Sequence, residues 1–275
     1  MTWHTHSITS WDDLDLRVKA KQSPGGWKMA FRGQSDCAWS LEPSLTRVLR
    51  EKFLPPHDAH ALEQHALEEF TEHAKYVKTH DGRVVRDLPT EKLEWWAMMQ
   101  HYGAPTRLLD WSLSPYVAAY FAVCDHWDRD GLLWYFSEQA VRARTMIREM
   151  TKEIKEVESW FGVYDPQRRH DRLESQRGVF TLSDNLFDSH ETIIDKWLND
   201  GIPGRMYGNF RIPAEFKPAI LHALTAMGIT ARSLFGDLDG LGQSIGEFIR
   251  LRAAKQPVPM SPRTVLPPKD THASA

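Results

Sequence analysis

Cysteine is nearly absent. Cys37 and Cys124 are the only two in 275 residues, and they stand far apart, without the paired spacing of a metal site. That scarcity argues against a disulfide framework or a zinc centre and fits a reducing, cytoplasmic setting. No run of 18 apolar residues occurs, so no membrane-spanning helix is expected. The opening Met1-Thr-Trp-His-Thr-His6 lacks the basic and apolar regions of a signal peptide. A formal net charge of −3 exerts no overall pull on nucleic acid or an anionic membrane, although it leaves room for a local basic cleft. No internal repeat is visible. Aromatic residues are plentiful instead, with 11 Trp and 12 Phe, so a substantial core is expected. The length suits a single domain over residues 1–254, followed by a flexible Pro-rich tail over 255–275.

Ser10-Trp-Asp-Asp13 predicts a capped helix to about Lys21, and Gly26 to Arg32 alternates as a strand. Pro43 to Lys52 reads as a short helix. His57 to His80 reads as a long one, with Leu62, Ala66, Phe70, Ala74 and Val77 at helical spacing. Its histidines, His60, His65, His73 and His80, lack an i, i+4 pair and read as a solvated face. A helix from Thr90 runs through Trp95, Trp96, Met98 and Met99. Leu132 to Phe136 is a buried strand, and 138–160 is a charged helix inserted on the outside, with Gly162 ending it. Gly178 to Leu182 is a strand, and Ser183 to Asp188 a loop. Tyr207 to Ile212 is an edge strand closed by Pro213. Phe216 to Met227 is a helix capped by Gly228, and a last helix runs to Arg252.

The densest stretch is Gln100-His-Tyr-Gly-Ala-Pro-Thr-Arg-Leu-Leu-Asp-Trp-Ser112. Gly103 and Pro105 stop the preceding helix, and Thr106 to Leu109 reads as a short strand or turn. Ser114-Pro115 then starts a helix that is apolar on nearly every side from Tyr116 to Trp127. Each polar residue here has two readings. His101 and Tyr102 fit either hydrogen bonds to the turn or a ligand. Arg107 and Asp110, three apart, fit either an internal ion pair or a site. Trp111 fits core better than a stacking surface. Arg32, at a strand end beside Gly33, fits either a buried ion pair or a two-pronged anion contact. Asp237 and Asp239 fit helix-start acids better than a cation loop.

Five blocks together resemble the FRG-domain family: Phe31-Arg32-Gly33-Gln34, Gln100 to Ser112, Pro115 to Ala122, Gln176-x-Gly-x-Phe180 and Leu234-Phe-Gly-Asp-Leu-Asp-Gly240. They cover roughly residues 26 to 245 and depart from the family at Gly236, where proline is commoner. That family is frequent in bacteria and phage-related neighbourhoods, and its name supplies no reaction. More distantly, the order of blocks is similar to ADP-ribosyltransferase-like folds. That likeness implies an α+β architecture, with a small mixed or antiparallel sheet core surrounded by helices and carrying a helical insertion at about 138–165. It also implies NAD as substrate and no metal cofactor. Arg32, His101, Arg107, Asp110, Glu174 and Gln176 would then be the catalytic candidates. Arg32, Gln34, Tyr102, Thr106, Trp111 and Ser112 would bind NAD. Gln176 stands where such folds carry a glutamate, so the carboxylate role would pass to Glu174 or Asp110. The implied function is an NAD-consuming effector, a bacterial toxin or anti-phage protein, that modifies a macromolecule or hydrolyses NAD. A target protein, an antitoxin or a nucleic acid would be its partner, and a membrane would not. Two alternatives stay open: a non-catalytic nucleotide- or protein-binding module using the same cleft, and a metal-dependent nuclease using Asp110, Asp237 and Asp239.

Overall fold

Seven strands form one mixed sheet in the order β1-β7-β4-β2-β3-β6-β5. The computed structural model describes residues 3–22, 27–52, 54–78, 88–151, 160–167, 171–199 and 206–254. The strands are β1 (Thr5–Ser7), β2 (Met29–Gln34), β3 (Leu109–Ser112), β4 (Gly131–Ser137), β5 (Phe161–Tyr164), β6 (Gly178–Ser183) and β7 (Tyr207–Ile212). Every pairing is antiparallel except β1 with β7, which is parallel. The helices are α1 (Trp11–Lys21), α2 (Ser44–Glu51), α3 (Pro56–Ala74), α4 (Lys92–His101), α5 (Pro115–Val123), α6 (Glu138–Thr151), α7 (Asp171–Ser175), α8 (His190–Asn199), α9 (Lys217–Ala226), α10 (Ala231–Phe235) and α11 (Leu238–Ala254).

Local chemistry sets many of these bounds. The Ser10 hydroxyl accepts the Asp13 amide at 3.1 Å and opens α1. Ser114 accepts the Val117 amide ahead of Pro115, the first residue of α5. Gly228, at φ +78°, closes α9. One face of the sheet carries Phe31, Leu133, Tyr135 and Phe210 against α1, α5 and α9. The other carries Trp111, Trp134 and Phe136 against α6 and α8. Helices α3, α4 and α7 close a third cluster around Trp96, Leu108 and Phe180.

The structure departs from the sequence expectations in several places. Gly162 does not end a helix; it lies in β5, where a Cβ would meet the Trp160 ring at 2.6 Å. Residues 152–159 of the expected insertion, and the tail 255–275, lie outside the described residues. β7 is no edge, because β1 pairs along its outer side. Short β1 gave no readable period, and α8 is a further helix, with Ile193, Ile194, Trp197 and Leu198 buried at helical spacing. The buried face of α3 consists of Ala59, Glu63 and Leu67, while Leu62 is 45% exposed. The helix is turned from the expected apolar face because Glu63 is drawn inward by Arg107, as described below. His57, His60, His65 and His73 are exposed along it. Among the described residues, no helix is long and apolar enough to cross a membrane.

Candidate functional site

The sheet opens between β2 and β3. β2 pairs with β4 along its whole length, but with β3 only at Phe31↔Ser112. Continued antiparallel pairing would set Gly33 opposite Asp110. Instead, Arg32 fills the gap, its Nη1 donating to the Asp110 carbonyl at 2.6 Å. The parted strands leave a cavity of about 300 Å³, walled by Phe31, Gly33, Phe121 and Phe180 and edged by Arg32, Gln100, His101, Asp110, Ser112 and Gln176. Helix α5 forms its apolar side through Ala118 and Phe121, and α4 forms another side through Ala97. α5 lies so close on β2 that a Cβ on Gly33 would sit 1.8 Å from the Ala118 carbonyl oxygen. Only glycine permits that approach.

A short hydrogen-bonded chain fixes the polar edge. Thr106 donates its hydroxyl to Gln100 Oε1 at 2.5 Å, and Gln100 Nε2 donates to Asp110 Oδ2 at 2.7 Å. Asp110 is held from below while 59% of its side chain stays exposed. Its Oδ2 lies 4.0 Å from Arg32 Nη1. Burial pushes the Arg32 guanidinium's pKa down and Arg47 adds to that effect, while Asp110 opposes it. Arg32 Nε is buried without a hydrogen-bond partner among the described residues. Ser112 donates its hydroxyl to the Gln176 carbonyl at 2.7 Å and accepts the Ser114 amide at 3.0 Å. The Gln176 side chain reaches the Leu234 carbonyl at 3.4 Å. Arg177 beside it takes a left-handed φ of +48°, a costly conformation for a residue with a Cβ, at the entrance to β6.

Behind this wall lies a second polar chain that the sequence did not reveal. Trp111 Nε1 donates to Thr181 Oγ1 at 2.8 Å, and Thr181 Oγ1 lies 2.8 Å from His190 Nδ1. Burial first, and Arg32 second, push the His190 pKa down to about 3, so its imidazole stays neutral.

The other sequence candidates lie elsewhere. Arg107 does not pair with Asp110. Its Nε donates to Glu63 Oε1 at 2.6 Å, its Nη2 pairs with Glu63 Oε2 and its Nη1 donates to the Ser183 carbonyl at 2.9 Å. Its guanidinium stacks over Trp96 at 4.8 Å. Both charges are nearly buried, so the pair ties α3 to β6 and takes no part in the cavity lining. Glu174, on α7, is exposed and outside that lining. Gln34 is buried, accepting from Trp134 Nε1 at 2.6 Å and donating to the Ser40 carbonyl at 3.0 Å. Tyr102 is 69% exposed, edge-on to His101 at 4.9 Å. Thr106 acts through Gln100. Trp111 does line the cavity, but its ring packs edge-on at 4.6 Å against Phe136 on the far face of the sheet. Asp237 accepts the Gly240 amide at 2.7 Å at the start of α11. Among the described residues, no three His, Cys, Asp or Glu side chains are grouped to hold a metal ion.

Comparison with known proteins bears on the same region. Residues 27–131 match the FRG domain family. The chain carries an FRG domain. The match begins just before β2 and ends at the first residue of β4. It therefore takes in Arg32, Gln100, His101, Asp110, Ser112 and Phe121 of the cavity, while Leu173, Gln176 and Phe180 come from chain beyond it. No curated protein and no solved structure matches the chain. Gln100 is the FRG residue that single-residue reasoning passed over. Its position immediately before His101 on α4 carried no signal until Asp110 was seen beside it.

Proposed function

We propose that the FRG-domain cavity binds the nicotinamide-ribose half of NAD and cleaves its glycosidic bond. The observation that carries this reading is the convergence of Arg32, Gln100, His101, Asp110, Ser112 and Gln176 on one opening between β2 and β3. The strands bearing the Arg32, Ser112 and Gln176 blocks, β2, β3 and β6, lie side by side, which also supports it. A cavity of this size is at the lower end of ligand pockets, ~300–1,000 Å³, and suits one nucleoside-sized group rather than a whole dinucleotide. Phe31, Phe121 and Phe180 give a flat heterocycle an apolar enclosure. Arg32, with an unused buried Nε, offers charge-assisted donation to a ribose or phosphate oxygen.

In the reaction, the bond from ribose C1′ to the nicotinamide nitrogen breaks and its electron pair leaves with neutral nicotinamide. The oxocarbenium character left on C1′ needs a nearby carboxylate. Asp110 is the carboxylate in the cavity, and Gln100 holds it in place. An acceptor hydroxyl, amine or water then adds to C1′ and loses its proton. Gln176, an amide, serves as a hydrogen-bonding contact. Incubating the full chain with NAD, with and without candidate protein and nucleic-acid acceptors, tests this reading. Nicotinamide release is expected, and its absence under all of these conditions rejects the reading.

The amide at Gln176 and the exposure of Asp110 favour a second reading, a cleft that binds a nucleotide without turnover. It predicts saturable NAD binding with no nicotinamide released.

A further inference from the structure

The last helix, α11, presents an apolar stripe to solvent. Leu238, Leu241, Ile245, Phe248 and Ile249 are 83%, 39%, 53%, 54% and 59% exposed. Leu238, Leu241, Ile245, Phe248 and Arg252 follow one another at alternating steps of three and four, the spacing of a coiled-coil seam. At 100° per residue the stripe is roughly 100° wide, and the side that anchors α11 to the body lies opposite it. There, Glu247 is buried and accepts the Tyr120 hydroxyl at 2.5 Å, and Leu251 packs on the core. The helix is fastened by its back and leaves its seam uncovered. An exposed apolar patch of that regularity marks an interaction surface.

We propose that this seam pairs with the same seam of a second copy of the chain, the two α11 helices running antiparallel about an axis near Ile245. Three observations select that occupant. First, the ends of the helix are complementary: Asp237 and Asp239 stand exposed at its start, and Arg252 at its end. Antiparallel pairing centred on Ile245 sets Leu238 across from the Arg252 stem and brings the guanidinium beside the two aspartates. It also sets the two helix dipoles antiparallel, with the positive N-terminus of each helix beside the negative C-terminus of the other. Second, Gly242 and Gly246 flank the stripe, and a Cβ on either would meet nothing within 4 Å. Each glycine costs about 1 kcal/mol relative to alanine in a helix interior, and no contact among the described residues accounts for it. A second helix approaching closely on that side does. Third, the five exposed side chains of two copies would bury about 1,000 Å² together, the lower limit for a specific two-fold interface.

Sedimentation of the full chain across micromolar concentrations should show mass rising from one copy to two. Ile245→Asp should remain a single copy at every concentration, with an unchanged circular dichroism spectrum. Under mild oxidation Ile245→Cys should cross-link to a second copy well above the wild-type background, and Leu238→Cys should not. A single copy at all concentrations for the wild type overturns the proposal, as would a persistent dimer of a folded Ile245→Asp. Cross-linking of Leu238→Cys as fast as Ile245→Cys overturns the antiparallel arrangement. Should Ile245→Asp fail to fold, the cysteine pair decides alone.

Discussion

Asp110 is the residue on which chemistry and stability separate. Its carboxylate is more than half exposed, yet Gln100 fixes its direction. Asp110→Asn should therefore change the unfolding free energy measured in urea by less than about 0.5 kcal/mol, while nicotinamide release falls at least about 100-fold. Gln100→Ala should lower the rate by a smaller factor, since Asp110 would keep its charge and lose its orientation. His190 behaves in the opposite way, buried and titratable but outside the cavity. Its folded pKa near 3 lies below the ordinary 6.5, so the unfolded chain takes up the proton first as pH falls. The stability it supports is complete above about pH 6.5 and drains as pH drops toward 3. At pH 5 the loss should be about 2 kcal/mol. His190→Gln should shrink the difference between stabilities measured at pH 7.5 and pH 5 by that amount. An unchanged pH difference would mean that this imidazole is not neutral in the folded state.

At the scale of elements, the Arg107–Glu63 pair explains why α3 is turned. The apolar spacing of α3 pointed to Leu62, Ala66 and Phe70 as the buried face, but an inward Glu63 took one of the core positions. Single-sequence periodicity treats every acid as a surface residue, so a buried ion pair between segments 44 residues apart is invisible to it. Glu63→Ala leaves the Arg107 charge buried and unpaired and should cost about 3–5 kcal/mol, read from thermal or urea unfolding. Cap chemistry was more legible: Ser10, Ser114 and Gly228 each end or begin the helix that their side-chain or φ preferences require. Strand β5 was not legible, because four residues carry too short a period to stand above the surrounding pattern, whereas α8 does carry a helical period in Ile193, Ile194, Trp197 and Leu198. Gly33 marks where α5 meets β2. Gly33→Ala must push the Ala118 carbonyl away and should destabilise the fold by at least about 2 kcal/mol.

Across the whole molecule, the FRG-domain region supplies two strands that part after one shared pair, and the later chain supplies β6 to close the far wall. The residues of the cavity were legible individually: Arg32, His101, Asp110, Ser112 and Gln176 all stood out in the sequence. Their separation from Arg107, Glu174 and Gln34 was not, because facing and pairing are decided by register and by which strand neighbours which. Two acids stood equal in the sequence as the carboxylate of an NAD-cleaving site, Asp110 and Glu174, and only Asp110 lines the cavity. The most direct measurement is the rate of nicotinamide release from NAD by the wild type, Asp110→Asn and Glu174→Gln side by side. Release by the wild type is expected, with at least about a 100-fold loss for Asp110→Asn and a rate within about twofold of wild type for Glu174→Gln. Loss of activity in Glu174→Gln with Asp110→Asn still active, or no release by the wild type, would contradict it.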